Sequence, residues 1–214
     1  MKNKLILVLL LCLFIVMPER EAFAGTGLFA YYKDKKETYT KNSQPELIGL
    51  SGTGIGADGT YPTRKGVILV TQSGSVGKVL GHAAIVYSAS TVVESLPKGV
   101  VLGNNDWNLT KSNVAAVTVK NTTVSQDRTI ANYCYGKIGA RYNYNYYDMA
   151  SRKLFYCSHL VWAGYKDVYG IDLNTSAYDT LTKKAIGPFE FVRESGKQIF
   201  PVYFKNWTKQ DVTK

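Results

Sequence analysis

Residues 66–96 read GVILVTQSGSVGKVLGHAAIVYSASTVVESL, and this stretch decides the fold. Gly66–Thr71 is a continuous apolar run rich in β-branched residues, the pattern of a buried strand. Gln72–Val79 is a Gly/Ser loop. Gly81–Ser88 reads as a second strand, Ala89-Ser90 as a turn, and Thr91–Leu96 as a third strand. Val100–Leu102 extends the pattern until Asn104-Asn105-Asp106 breaks it. Strands that follow one another without a helical crossover pair antiparallel.

Further along, Val114–Lys120 is another strand. A helix follows, with Ser125 as its N-cap and Ile130, Tyr133, Cys134 and Ile138 on one apolar stripe; Gly139 ends it. Arg141–Asp148 (RYNYNYYD) is an aromatic and polar loop. A second helix runs from Cys157 to Val168, with an inward stripe of Cys157, Leu160, Val161, Gly164, Tyr165 and Val168, and Gly170 ends it. Phe189–Arg193 and Ile199–Phe204 read as closing strands, the latter at a sheet edge because Pro201 cannot donate to a ladder. The predicted class is α+β, an antiparallel sheet packed against helices.

The N-terminal side has a different character. Met1–Lys4 is basic and Leu5–Met17 is an unbroken apolar run. That run is shorter than the about 20 residues a membrane span needs, and it matches a signal-peptide core. Ala22-Phe23-Ala24 fits the small-x-small cleavage rule, which predicts a leader over 1–24 and export. Retention as an anchor and lipidation of Cys12 are the alternatives; Leu11 stands where lipidation wants a small residue. Residues 25–61 read as a polar lead-in arm, 62–205 as the domain and 206–214 as a tail. Within the arm, Gly54-x-Gly56-x-x-Gly59 matches a dinucleotide fingerprint by letters alone. No strand precedes it and Thr60-Tyr61-Pro62 follows where a helix must begin, so the phosphate-binding mechanism fails.

The 214 residues are 45% hydrophobic and 20% charged, which is globular composition rather than disorder. Tyrosine dominates the aromatics, with 16 against 8 Phe and 3 Trp. A tyrosine buries a ring and keeps a polar tip, which suits a half-wet cleft. The Arg141–Tyr147 tyrosines either line a substrate groove or cap a core edge; Tyr142, Tyr144 and Tyr156 are the candidate substrate-binding residues. The net charge is +10. For an exported protein that favours anionic cell-wall polymers as partners, with a merely solubilising surface as the plain alternative. Neither a basic run nor a recognition-helix pattern speaks for nucleic acid. With His82 and His159 the only histidines and no zinc-spaced cysteine pair, a metal site is not expected, and no cofactor is implied.

Cys157 opens a helix. A helix N-terminus carries partial positive charge and unpaired N–H groups. There a thiol pKa falls, more so beside an imidazolium, and the same N–H groups can hold an oxyanion. A thiol nucleophile wants a base. His159 lies two steps along the same helix, roughly 200° round, and reads as a surface residue. By elimination the base is His82. Its orienting acceptor is Glu94, of matching parity on the next strand, provided that the intervening turn has odd effective length. A two-residue turn places Glu94 on the wrong face, and a water-exposed rim glutamate is the alternative. Cys134 reads as a small buried hydrophobe; a disulfide between Cys134 and Cys157 is the competing reading, permitted in an oxidising compartment.

Lys65–Thr71, Gly81–Val86, Glu94 and Tyr156-Cys157-Ser158-His159-Leu160-Val161-Trp162 together resemble a known family. They look like the permuted branch of the NlpC-type cysteine peptidases, the YiiX/YebB-like hydrolases with a circularly permuted papain-like core. In that branch the histidine strand precedes the cysteine helix, as here. The resemblance covers residues 62–205 and implies Cys157 as nucleophile, His82 as base and Glu94 as third polar residue. The family's usual Gly-Asp-Ile reads Gly66-Val67-Ile68 here. The implied activity is cleavage of an amide, in peptidoglycan stem peptides. A lipid or amide acyltransferase or thioesterase with the same residues, a non-catalytic wall-binding module and a disulfide-locked structural protein are the rivals.

Overall fold

The computed structural model describes residues 57–58, 60–73, 81–174, 185–193 and 198–206. The leader over 1–24, the arm up to residue 56, the three glycines of Gly54-x-Gly56-x-x-Gly59, residues 74–80 of the Gly/Ser loop and the tail beyond Asn206 lie outside the described residues.

In chain order the elements are β1 (Ala57–Asp58), β2 (Ile68–Thr71), β3 (His82–Val86), β4 (Thr91–Leu96), β5 (Gly99–Asn104), α1 (Trp107–Thr110) and β6 (Val114–Val119). There follow α2 (Val124–Tyr135), β7 (Arg141–Tyr142), β8 (Leu154–Phe155), α3 (Cys157–Tyr169), α4 (Glu190–Arg193) and β9 (Ile199–Lys205). Among the described residues, seven strands form one antiparallel sheet in the order β1-β9-β6-β2-β3-β4-β5, and β7 pairs with β8 in parallel.

The unbroken apolar runs are explained by burial on both faces. On one face Ile68, Val70, Ala83 and Ile85 share a core with Ile130 and Cys134 of α2 and Leu160 and Val161 of α3. On the other, Leu69, Ala84, Val86 and Val92 pack with Trp107 and Tyr203. Each fully buried aliphatic side chain contributes about 1.5–3 kcal/mol. The cysteine helix thus lies against the sheet of an α+β fold.

The β3–β4 connection sets the register that matters. Val86 pairs with Val92, and Tyr87 N–H donates to Thr91 O at 2.9 Å. Ser88-Ala89-Ser90 is left as a three-residue loop. It is held by a Ser88–Thr91 hydroxyl bond of 2.7 Å and by Asn105 Nδ2 on Ala89 O at 3.2 Å. Ala84 therefore pairs with Glu94, which puts His82 and Glu94 on one face.

Several sequence expectations change. Phe189–Arg193 is not a strand: Glu190–Arg193 is a helical turn. Pro188 fits the start of a turn, and Glu190 Oε1 accepts Gly187 N–H at 2.8 Å; the alternating Phe189 and Phe191 imitate a strand's period. Helix α2 is capped by Thr123, not Ser125, in a capping box with Gln126. It ends at Gly136 rather than Gly139, so Ile138 falls off the stripe and is 42% exposed. Val100–Leu102 belongs to a separate strand, turned back on β4 through Pro97-Lys98. Strand β9 is next to the edge, since β1 pairs with Phe204 and Lys205. Pro201 sits at a bulge, where Val117 pairs with Pro201 and Ala116 with Tyr203. Val168 faces outward.

Candidate active site

The β3–β4 ladder parts to admit the thiol. Val86 N–H donates to Val67 O beside β2, and Tyr87 N–H to Thr91 O beside β4. Alternate residues of β3 therefore face alternate neighbours, and Ala83 faces the β4 side. The β3–β4 pairing runs only from Val86/Val92 to Ala84/Glu94, so the Ala83 amide finds no strand partner. The N-terminus of α3 enters at that gap. Ser95 Oγ donates to Phe155 O at 2.6 Å, and the Ala83 amide turns to the Cys157 sulfur.

Tyr156, the N-cap of α3, is extended and provides no side-chain cap. Its hydroxyl accepts Ile186 N–H at 3.1 Å and donates to Met149 Sδ at 2.9 Å. Ser158 Oγ donates to Ile186 O at 2.8 Å. The residues on either side of the thiol are thereby fixed to one distant segment. The first-turn amides of α3 remain for the sulfur and for whatever lies before it.

His82 Nε2 and Glu94 Oε2 are 2.7 Å apart, with their side chains 18% and 12% exposed. The imidazole also hydrogen-bonds Cys157, and Nδ1 is the nitrogen left for that contact. Trp107 stacks on the ring at 5.5 Å and 29° and shields the His82–Glu94 pair. Its own backbone N–H reaches Tyr61 Oη at 3.2 Å, and that hydroxyl donates to Asn105 Oδ1 at 2.8 Å.

Burial by itself lowers the His82 pKa. The hydrogen bonds and charges of Cys157 and Glu94 outweigh it, and the pKa is raised. Burial by itself raises the Cys157 pKa. The His82 hydrogen bond and charge, then the Ala83 and Ser158 amides, outweigh that, and the pKa is lowered. Both shifts favour a thiolate–imidazolium pair.

The tyrosines separate. Tyr142 is half-buried, and its hydroxyl pKa is raised by burial and by the nearby Cys157 charge. Tyr144 leans on it with ring centres 4.8 Å apart and is 68% exposed. Tyr156 is buried, with Tyr146 edge-on to its ring at 5.2 Å. Tyr142 thus lies within electrostatic reach of the sulfur, Tyr144 is further out toward solvent, and Tyr156 is packed inside.

His159 is not on the surface. It is 0% exposed among the rings of Phe155, Tyr156 and Trp162. Its pKa falls to about 4, through burial and then the Arg152 charge, with the Met149 carbonyl as a weak opposing influence. Cys134 and Cys157 are both free thiols. Cys134 is buried, with its pKa pushed up to about 12 by burial. Among the described residues no group of three His, Cys, Asp or Glu side chains is arranged to hold a metal ion.

Sequence reasoning missed Trp107, Ser95 and the Ala83 amide. An aromatic just after the strand-breaking Asn104-Asn105-Asp106 was a visible signal for the first. The other two depend on where β4 leaves β3, which no local pattern marks.

A helix-borne thiol and a strand-borne imidazole earlier in the chain define a cysteine hydrolase of permuted papain-like topology. Residues 69–209 match the family described as permuted papain-like amidase enzyme, YaeF/YiiX, C92 family, and the chain belongs to it. It is accordingly a papain-like cysteine amidase or peptidase. No curated protein matches the sequence. Among solved structures, the metalloprotein yiiX from Escherichia coli O157:H7 superposes with a TM-score of 0.44 at 18% identity, covering 54% of this chain and 71% of that one.

Proposed function

We propose that this amidase is exported and cleaves an amide bond in peptidoglycan stem peptides, with Cys157 as nucleophile, His82 as base and acid, and Glu94 as orienting acceptor. The observation that carries the chemistry is the 2.7 Å His82–Glu94 bond on one ring nitrogen, with the other nitrogen serving a thiol at a helix N-terminus. The wall substrate is supported by the leader-like N-terminus and the net charge of +10, which draw an exported protein to anionic polymers.

Resting as a thiolate, Cys157 attacks the amide carbonyl and forms a tetrahedral oxyanion. The Cys157 backbone N–H, first in its helix and without an intrahelical acceptor, donates to that oxygen. His82 gives its proton to the leaving amine as the C–N bond breaks, leaving a thioester. Water then attacks the thioester, His82 takes its proton, and the carboxylic acid leaves as the thiolate returns. Glu94 keeps the ring in register through both transfers. Tyr142 and Tyr144 line the approach to the sulfur.

Purified peptidoglycan treated with wild type and with Cys157→Ala, followed by mass analysis of soluble fragments, tests the proposal. Fragments from wild type alone are expected. Fragments from neither remove the wall substrate, and equal fragments from both remove Cys157.

A further inference from the structure

Gly103 lies inside β5, paired with Val92 of β4. Glycine in a strand interior gives up packing and costs backbone entropy, so its presence calls for a cause. Backbone conformation is not the cause, because Gly103 is not among the residues of positive φ. Space is. Glu94 pairs with Val101, so Val92, Glu94, Val101 and Gly103 share one face, with Glu94 and Gly103 diagonal neighbours. A methyl group at Gly103 would overlap Glu94 Oε1 and stand 3.0 Å from its Cδ and 3.3 Å from Val92 Cγ2. Oε2 is the oxygen bound to His82; Oε1 occupies the place of the missing side chain.

We propose that Gly103 is a positioning residue for the catalytic imidazole: its bare backbone is the floor on which the Glu94 carboxylate lies in order to reach His82. The inference rests on the Cys157–His82–Glu94 reading above. The obstructing atom ends a flexible side chain, so alanine here displaces the carboxylate rather than the sheet. Glu94 swings off the floor and the His82 bond is lost. The imidazole, no longer held by its far nitrogen, turns away from the sulfur, and the thiolate that its hydrogen bond stabilises becomes scarcer at mildly acidic pH.

The test uses the full chain and iodoacetamide, reading the alkylation rate at Cys157 by peptide mapping across the acid and neutral range. Wild type, Gly103→Ala, Glu94→Ala and the double variant are compared, each with a thermal melt. Gly103→Ala and Glu94→Ala should each slow alkylation near about pH 6 on the order of tenfold, since one pKa unit is a tenfold change in thiolate fraction. The double variant should match Glu94→Ala to within about twofold, because the methyl then meets no carboxylate. A Gly103→Ala profile like wild type, beside a slowed Glu94→Ala, overturns the role of Gly103 alone. Independent effects that multiply in the double variant also overturn it. An unchanged Glu94→Ala profile overturns the underlying reading and this role together. If Gly103→Ala fails to fold and the double variant folds, the overlap with Glu94 is demonstrated directly. If neither folds, the glycine is structural and the proposal falls.

Discussion

The Ser95 hydroxyl donates to the Phe155 carbonyl at 2.6 Å, across 60 positions of chain. Strand β4 stops pairing with β3 beyond Glu94, and its next residue binds the backbone two positions ahead of the thiol. One strand thus carries the acceptor for the imidazole and the tether for the cysteine helix.

Replacing Ser95 by alanine removes one of two donors to the Phe155 carbonyl, which keeps the Asn143 N–H at 3.1 Å, a loss of about 0.5–1.5 kcal/mol. Urea denaturation should show this as a lower midpoint with an unchanged slope. Cys157 alkylation should also slow, because the sulfur no longer sits squarely under the Ala83 amide. A destabilised variant with wild-type alkylation would mean that the tether serves folding alone.

The pH dependence follows from the two opposed shifts. Cys157 deprotonates below its ordinary value and His82 holds its proton to about 9. The active pair is therefore lost on the acid side as the thiolate gains a proton. It is lost on the alkaline side as the imidazolium gives one up. Hydrolysis should follow a bell whose alkaline limb lies near that value. Glu94→Gln removes a negative neighbour, so the alkaline limb should move down, with kcat/KM about tenfold lower at pH values above both limbs, and little changed on the plateau, for a limb shift of one unit. A limb that stays in place would show that Glu94 does not support the charge on His82.

His159 makes a separate prediction about stability. Its folded pKa is about 4, below the ordinary 6.5, so the unfolded chain binds its proton first as the pH falls. Stability should decline between those two values, by at most about 3 kcal/mol from this residue. His159→Phe keeps the ring packing without the titration. Its melting temperature should depend less on pH over that range, while Cys157 alkylation keeps the wild-type pH profile. An equal dependence in both proteins would show that another group is responsible.

Much of this arrangement could be read in advance where a residue's neighbours along the chain decide its place. The β-branched runs 66–71 and 91–96 had to be strands, and Cys157 after Phe155-Tyr156 opened a helix. The facing of His82 and Glu94 was legible only as a condition on loop length, which Ser88-Ala89-Ser90 satisfies. Other features depend on distant packing. His159 looked external because one stripe of α3 suffices to bind a helix to a sheet. Its first turns are instead enclosed all round, with Ile186 bonded to both Tyr156 and Ser158. The segment Phe189–Arg193 carries a strand's alternation, yet its Phe191 and Val192 are both buried within a single turn, which a local pattern does not distinguish.

The loop of three at Ser88-Ala89-Ser90 acts as a parity lock. Sliding the second strand by one position against the first would preserve a workable hairpin but exchange the two sides of everything after it, sending the carboxylate to the helix layer and a valine to the imidazole's side. Any descendant that keeps the chemistry can therefore vary the length of this corner only while Tyr87 stays opposite Thr91.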